Sequence, residues 1–482
     1  MADLVRRDIW ALEEEAGKWH PITDAYARAV GVMQGRADDE PTSWAYQAAV
    51  HGAPPGVQRD QFVDQCQHNT WFFLSWHRMY LHFFEQIVRA ALAEVDEVSD
   101  EVKSTWALPY WNYDRGGGTA ALPPAFLEPT LADGQTPNPL FTELRHPNIR
   151  AGGRLNPFAI SAARALREHF FAHDPVPGGT VGFGGARTGW NHFDESADAA
   201  PGALEQTPHN DVHGGVGGPG GLMSAFDTAP LDPVFWMHHA NIDRLWQVWF
   251  EQGGRKNPTR TAWRNEPFDF HQADGSAVRM TSEEVVDTGS LGYEYEELAV
   301  PELVAAGGGG VPPEPPSDRP PELVGATEAP LTLTGQSEQV AIPLSEPAGP
   351  ALTESTERPR VVVNVEGIQG DRNPGLSYAV YVNLPDDEDP GTAQRHHVGN
   401  VSFFGIERAR DVEADHRGGP GLRYAFDITD LANTLASEGR WDPAQVKVSF
   451  EPIRSLPPSG EEAVPAVEVP PVTIGRVGIY YQ

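Results

Sequence analysis

The stretch DPVFWMHHANIDRLWQVWFE, residues 232–251, decides the reading of the first half of the chain. Its apolar residues return at i+3 and i+4, the period of a helix with one buried face, so a helix is expected from Asp232 to Glu251. The adjacent His238 and His239 near its start bring imidazole into that apolar surface. Just upstream, LEQTPHNDVHGGVGG (residues 204–218) sets His209 and His213 at i and i+4, on one helical face and able to hold one metal between them. One member of the HH pair then supplies a third ligand. An isolated HxxxH is a weak signal, but here it does not stand alone.

A second constellation lies earlier, in HGAPPGVQRDQFVDQCQHNTWFFLSWHRMYLHFFE (residues 51–85). A helix is expected from Asn69 to Val95, and His68 precedes His77 by nine residues. At about 1.5 Å per residue that is roughly 13 Å along a straight helix. Bonds to a metal are only about 2 Å long, so His68 must sit in the turn before the helix and fold back toward His77. His51, in a loop, completes a set of three. Two such sets suit copper or another borderline metal far better than magnesium or calcium, which take oxygen ligands. A mononuclear zinc site would use only one cluster and leave the other unexplained. His82, His192, His396 and His397 have no partners at useful spacing and read as surface or satisfied core residues.

The bulk properties limit what else the chain can be. With 482 residues it exceeds a single core, which stops growing at about 250–300 residues, so two domains are expected. Apolar residues at 40% and aromatics at 10% are enough for both cores. A formal charge of -33 repels nucleic acid and anionic membrane surfaces, so neither is an expected partner. The start lacks an apolar segment before a small-residue cleavage site, and no later run reaches the ~18 apolar residues of a membrane span. A soluble, cytoplasmic protein is the expectation. Cys66 is the only cysteine, which rules out an internal disulfide and any cysteine-rich metal site.

The chain divides by composition. Residues 1–300 carry long aromatic-rich helical patterns, including a helix expected over Val5–Ala16, and most of the histidines. This half reads as a mainly α catalytic domain. Residues 301–350 are rich in Gly and Pro and read as a linker open to proteolysis. Residues 351–482 hold short β-branched and aromatic runs such as RVVVNVEGI, SYAVYVNL and VTIGRVGIYY, the pattern of an all-β sandwich.

At WFFLSWHRMYLHFFE and DPVFWMHHANIDRLW the chain resembles the tyrosinase, polyphenol oxidase and hemocyanin family of type 3 copper proteins. The resemblance implies a four-helix-bundle core holding two copper ions, with His51, His68 and His77 on one and His209, His213 and His239 on the other. His239 is preferred because it lies four residues before Asp243, as the family pattern H-x-x-x-D requires; His238 is then a neighbour that guides substrate or packs. Cys66 and His68 match the C-x-H arrangement that forms a thioether in some members. Dioxygen and small phenols are the implied reactants. Glu205 and Asn210 match the residues that hold a base water for monophenol hydroxylation, so tyrosinase activity with catechol oxidation is implied. Catechol oxidase, o-aminophenol oxidase and a hemocyanin-like oxygen carrier are the alternatives. Met223 or Phe226 would stand above the metal.

YEYEE at Tyr293–Glu297 resembles the tyrosine motif that closes the catalytic domain of plant-like members, with Arg6 or Arg7 as its partner, and Trp111 in LPYWNYDRGG has a packing role. More loosely, the C-terminal region resembles the domain that keeps plant polyphenol oxidases latent, with Phe403 or Phe404 at the entrance. A copper-delivery partner and the oligomeric state are not legible in these motifs.

Overall fold

The computed structural model describes residues 4–53, 60–174, 178–188, 200–299, 320–345, 359–390, 393–409, 421–460 and 468–482. Asp8 opens the first helix, Ile9–Ala16, by accepting from the Trp10 backbone N–H, and Gly17 at φ 78° ends it. Val5, expected in that helix, instead lies in the strand Leu4–Arg6, paired in parallel with Tyr293–Tyr295. A partner from the far end of the domain, invisible to local periodicity, decides its conformation.

Four helical segments surround the histidines: Pro21–Gln34, Phe73–Ala93, Asp211–Gly217 with the turn before it, and Val234–Glu251. The long helices are shorter than their sequence periodicity suggests. Asn69 takes φ 61°, so the chain between it and Phe73 turns rather than coils. Asp232 stays outside its helix, where its carboxylate accepts from the Val234 N–H and binds Arg145 in a buried pair at 2.7 Å. Trp111 packs as expected: it is fully buried, and its N–H groups donate to the carbonyls of Met237 and Thr119.

The C-terminal half is a two-sheet antiparallel sandwich. One sheet orders Leu422–Asp427, Val361–Gly370, Val472–Tyr481 and Glu322–Ala326, with Leu331–Leu333 also on Val472–Tyr481. The other orders His397–Val401, Ser377–Val382, Val446–Ile453 and Glu338–Ile342. A second core of Val, Ile, Phe and Tyr side chains fills the space between them. Residues 320–345, expected as linker, therefore belong to the sandwich. Their three strands are only five, three and five residues long and sit between Pro and Gly, so turn residues dominate the sequence signal. The remainder of the expected linker lies outside the described residues. Phe404 leaves this sandwich to join the core of the helical half, the only residue beyond Tyr295 among that cluster's buried side chains in the described residues. Among the described residues no helix is long and apolar enough to cross a membrane.

Candidate metal centre

Seven buried imidazoles converge between the four helical segments, in two groups: His51, His68 and His77, and His209, His213, His238 and His239. Within each group one ligand atom per ring lies within 4.8 Å of the others. His77 comes from the second turn of Phe73–Ala93, and His68 precedes the long helix as expected; His51, expected in a loop, instead ends the helix Trp44–His51, opened by the Ser43 side-chain cap. His209 and His213 share a helical face, with ring centroids 4.5 Å apart. The two groups face each other: His77 stacks on His239 at 4.5 Å, and His68 and His209 are 5.6 Å apart.

Hydrogen bonding aims these rings. Nδ1 of His51 meets the Phe226 carbonyl, that of His77 the Phe73 carbonyl, that of His213 the Met223 carbonyl, and that of His209 the Asn210 Oδ1, each at 2.8 Å. A carbonyl only accepts, so in these rings Nδ1 carries the proton and Nε2 keeps its lone pair. Nε2 of His51, His77 and His209 is buried with no hydrogen-bond partner, and Nε2 of His213 faces that of His239 at 3.3 Å. The His239 Nδ1 has no fixed acceptor, so its Nε2 can donate across that gap in the metal-free chain and offer its lone pair to an ion when one binds. Burial, reinforced by neighbouring imidazoles at most positions, pushes all seven pKa values below the ordinary histidine value and keeps the rings neutral. Neutral, oriented and unpaired imidazole is what a soft or borderline metal needs, so the donor set fits copper.

Asp243 anchors the second long helix from behind. It pairs with Arg78 and accepts from the hydroxyls of Tyr293 and Tyr295, at 2.6 and 2.5 Å. Arg6, fully buried, donates to Glu85 and Tyr295 and lies 3.7 Å over the Tyr293 ring. Of the two candidate partners of the tyrosine motif, Arg6 takes the role, while Arg7 turns outward to Glu15 and Glu296.

The lining is aromatic. Phe226 stacks on His68 with centroids 4.4 Å apart. Phe404, reaching in from the sandwich, stacks on His213 at 3.9 Å and meets Phe226 edge-on at 4.5 Å. Phe403 stays in the sandwich core. Met223 is buried and meets the site through its carbonyl, while its side chain belongs to the helical core. His238 lies 5.4 Å from His209 and 5.8 Å from Tyr113. Cys66 is fully buried, and its N–H donates to the carbonyl of His51.

Glu205 and Asn210 flank His209 but have different partners. The Glu205 carboxylate accepts the Asn69 N–H at 2.9 and 3.1 Å, and burial pushes its pKa up to about 8. Asn210 turns its amide nitrogen toward the Tyr424 hydroxyl of the sandwich, at 3.4 Å. The remaining histidines lie elsewhere: His82 contacts Gln86, His396 the Val382 carbonyl and His397 Asn400; His192 lies outside the described residues. Sequence reading missed Asp211, Asn373, Asn400 and Tyr424, which tie the sandwich to the site. Alternation marks Tyr424 as inward-facing in its strand, but nothing local tells which domain it meets.

A buried, preoriented histidine set in a helical bundle defines a histidine-ligated metalloprotein. Residues 41–252 match the common central domain of tyrosinase, residues 257–305 the polyphenol oxidase middle domain, and residues 320–482 a domain of unknown function. The chain is 33% identical to tyrosinase HcTyr1 of Hahella sp. over 98% of both chains. It is 27% identical to a chloroplastic polyphenol oxidase of Malus domestica, covering 89% of this chain and 72% of that one. The structure of latent apple tyrosinase superposes with a TM-score of 0.65 at 22% identity, covering 100% of this chain and 98% of that one, which establishes the shared fold. The chain belongs to the tyrosinase family. It is a copper oxidoreductase that oxidises phenols with dioxygen at a type 3 site.

Proposed function

We propose that the site holds two copper ions, one on His51, His68 and His77 and one on His209, His213 and His239, and that it both hydroxylates monophenols and oxidises o-diphenols to o-quinones. The observation that carries the reading is the fixed Nδ1 of His51, His77, His209 and His213, with the Nε2 of the first three left unpaired, in two groups that face each other. Bound copper would supply the electron transfer between phenol and dioxygen.

The chain's own residues bind the ring and move the proton. A phenol entering between Phe226 and His238 is held by aromatic surface, with its hydroxyl toward the histidines. Glu205 and Asn210 hold a water beside His209, and the phenol proton passes through that water to the Glu205 carboxylate. Cations in the site lower the pKa of this buried carboxyl from about 8 into the range of a working base. Cys66 joins the His68 ring in a thioether, losing the thiol hydrogen and one ring hydrogen with both electrons passing to dioxygen, which fixes a ligand that precedes its helix. Phe404 occupies the space a substrate ring needs over His213, which makes the full chain latent.

Oxygen uptake by copper-loaded native chain and by Phe404→Ala, with tyrosine, catechol and an o-aminophenol side by side, tests the reading. It predicts little turnover by the native chain, and turnover of both tyrosine and catechol by the variant. Oxidation of catechol alone would reduce the assignment to a catechol oxidase. Preferred use of the o-aminophenol would change the substrate class, and no turnover by the opened variant would support the oxygen-carrier reading.

A further inference from the structure

The C-terminal sandwich touches the helical half unevenly. Near His51, His68 and His77 the described residues of the sandwich include the Phe404 ring and Arg408, which pairs with Asp64 at 2.7 Å and lies 5.9 Å from the Phe226 ring. Around the second group its polar contacts form a clamp. Asn400 Nδ2 donates to the buried Asp211 carboxylate at 2.7 Å, and Asp211 stands between His209 and His213 on their helix. The same amide donates to the Phe158 carbonyl at 2.8 Å, so its geometry is fixed from two sides. Asn373 Nδ2 donates to the Ser224 carbonyl at 3.2 Å, next to Met223, whose own carbonyl orients His213. Ser455 Oγ donates to the Gly215 carbonyl at 2.9 Å, two residues beyond His213, and the Tyr424 hydroxyl accepts from Asn210, the residue that orients His209.

That helix needs help. The α-helical part, Asp211–Gly217, has seven residues, three of them glycine, and the turn Glu205–Asn210 that leads into it is broken at Thr207, where φ is -144°. Each glycine inside a helix costs about 0.5–1 kcal/mol relative to alanine, and an isolated helix this short is unstable in water. His213 on this helix and His209 in the turn that leads into it therefore depend on contacts from outside the segment. The long helix under His77 needs no such support, having 21 residues and a buried face.

We propose that the C-terminal sandwich is a structural part of the second copper site as well as its cover: Asn400, through Asp211, and Asn373, through Ser224, are positioning residues that hold His209 and His213 in ligating geometry. The inference rests on the two-copper reading above. It means that opening the entrance and keeping the second copper are opposed requirements, met together only if the sandwich stays docked while Phe404 moves.

The test is copper retention in the full chain, measured without turnover. Native chain, Asn400→Ala, Asn373→Ala and Phe404→Ala are loaded with copper, challenged with a chelator, and followed for copper per chain with time, alongside the melting temperature of each copper-free chain. Loss of an outer partner of a metal ligand weakens binding by about 10–100-fold. The expected result is that Asn400→Ala and Asn373→Ala release one of two coppers at least about tenfold faster than native chain, with the other copper and the copper-free melting temperature unchanged. Phe404→Ala keeps both. The proposal is overturned if both asparagine variants release both coppers at native rates, or if both coppers leave faster in step with a lowered melting temperature. If Asn400→Ala does not fold, Asn373→Ala decides alone. A native chain that never takes up two coppers would sink the two-copper reading itself, and this proposal with it, which a native chain with two coppers and indifferent variants would not.

Discussion

At the residue scale, the chemistry turns on which atoms are left unpaired. His51, His77, His209 and His213 each spend Nδ1 on a fixed acceptor; three of these are backbone carbonyls, and only the Asn210 amide that orients His209 belongs to a side chain. Glu205 is buried, 1% exposed, and accepts from the backbone N–H groups of Asn69 and Gly202. Glu205→Gln is predicted to lower tyrosine hydroxylation by about 10²-fold or more, the usual worth of a positioned base, while catechol oxidation falls far less. The same group gives a pH dependence: a base works deprotonated, so hydroxylation rises with pH through a value at or below about 8, and the limb disappears in Glu205→Gln. Rate against pH for both substrates checks this, and a catechol profile with the same limb would assign it elsewhere. The histidine spacing made most of this site legible in the sequence, because i,i+4 geometry and the reach of a metal bond leave few arrangements. Choosing between His238 and His239 was not possible from spacing alone: both are buried and both lie within reach of His209 and His213. Phe404 was legible as a candidate beside Phe403, but which of the two leaves the sandwich depends on a surface that local pattern does not describe.

At the element scale, the Val234–Glu251 helix is held by a buried ionic knot. Asp243 faces Arg78 and Arg6, with Tyr293 and Tyr295 closing its remaining lone pairs. Removing one partner of a buried pair leaves uncompensated charge, which typically costs about 3–5 kcal/mol. Asp243→Ala is therefore predicted to destabilise the chain by about that amount, seen as a lower denaturation midpoint, and a midpoint within error of native would refute the role given to the knot. Helix existence was legible from the 3.6-residue period, whereas helix ends were not. Asn69 in the left-handed region and Asp232 acting as a cap cut both long helices short of their apolar pattern. Residues 320–345 show the opposite limit. Short edge strands separated by Pro and Gly carry too few alternating residues to outweigh turn chemistry, and their place is set by pairing with Val472–Tyr481 and Val446–Ile453.

At the scale of the whole molecule, one chain joins a helical metal-binding half to a sandwich that covers it, and the burial of many neutral histidines sets how it responds to acid. His82, His146, His173 and His397 are each lowered to about 4 by burial, against about 6.5 in an unfolded chain. Between those values the unfolded chain binds more protons, so stability is fully present above pH 6.5 and is lost as pH falls toward 4. Glu205, Asp114 and Asp211, raised to about 8, 6 and 6, act in the opposite sense but are outnumbered by these four and the seven site imidazoles. The melting temperature of copper-free chain should thus fall steeply below pH 6.5, and a flat profile from pH 7 to 4 would show that the histidines are not buried as described. The central claim is the copper pair, and its most direct measurement is copper per folded chain for native protein, His77→Ala and His209→Ala after loading and removal of free metal. Two coppers in the native chain and one in each variant is the predicted result; a single copper in the native chain, or one removed by changes in only one cluster, would contradict it.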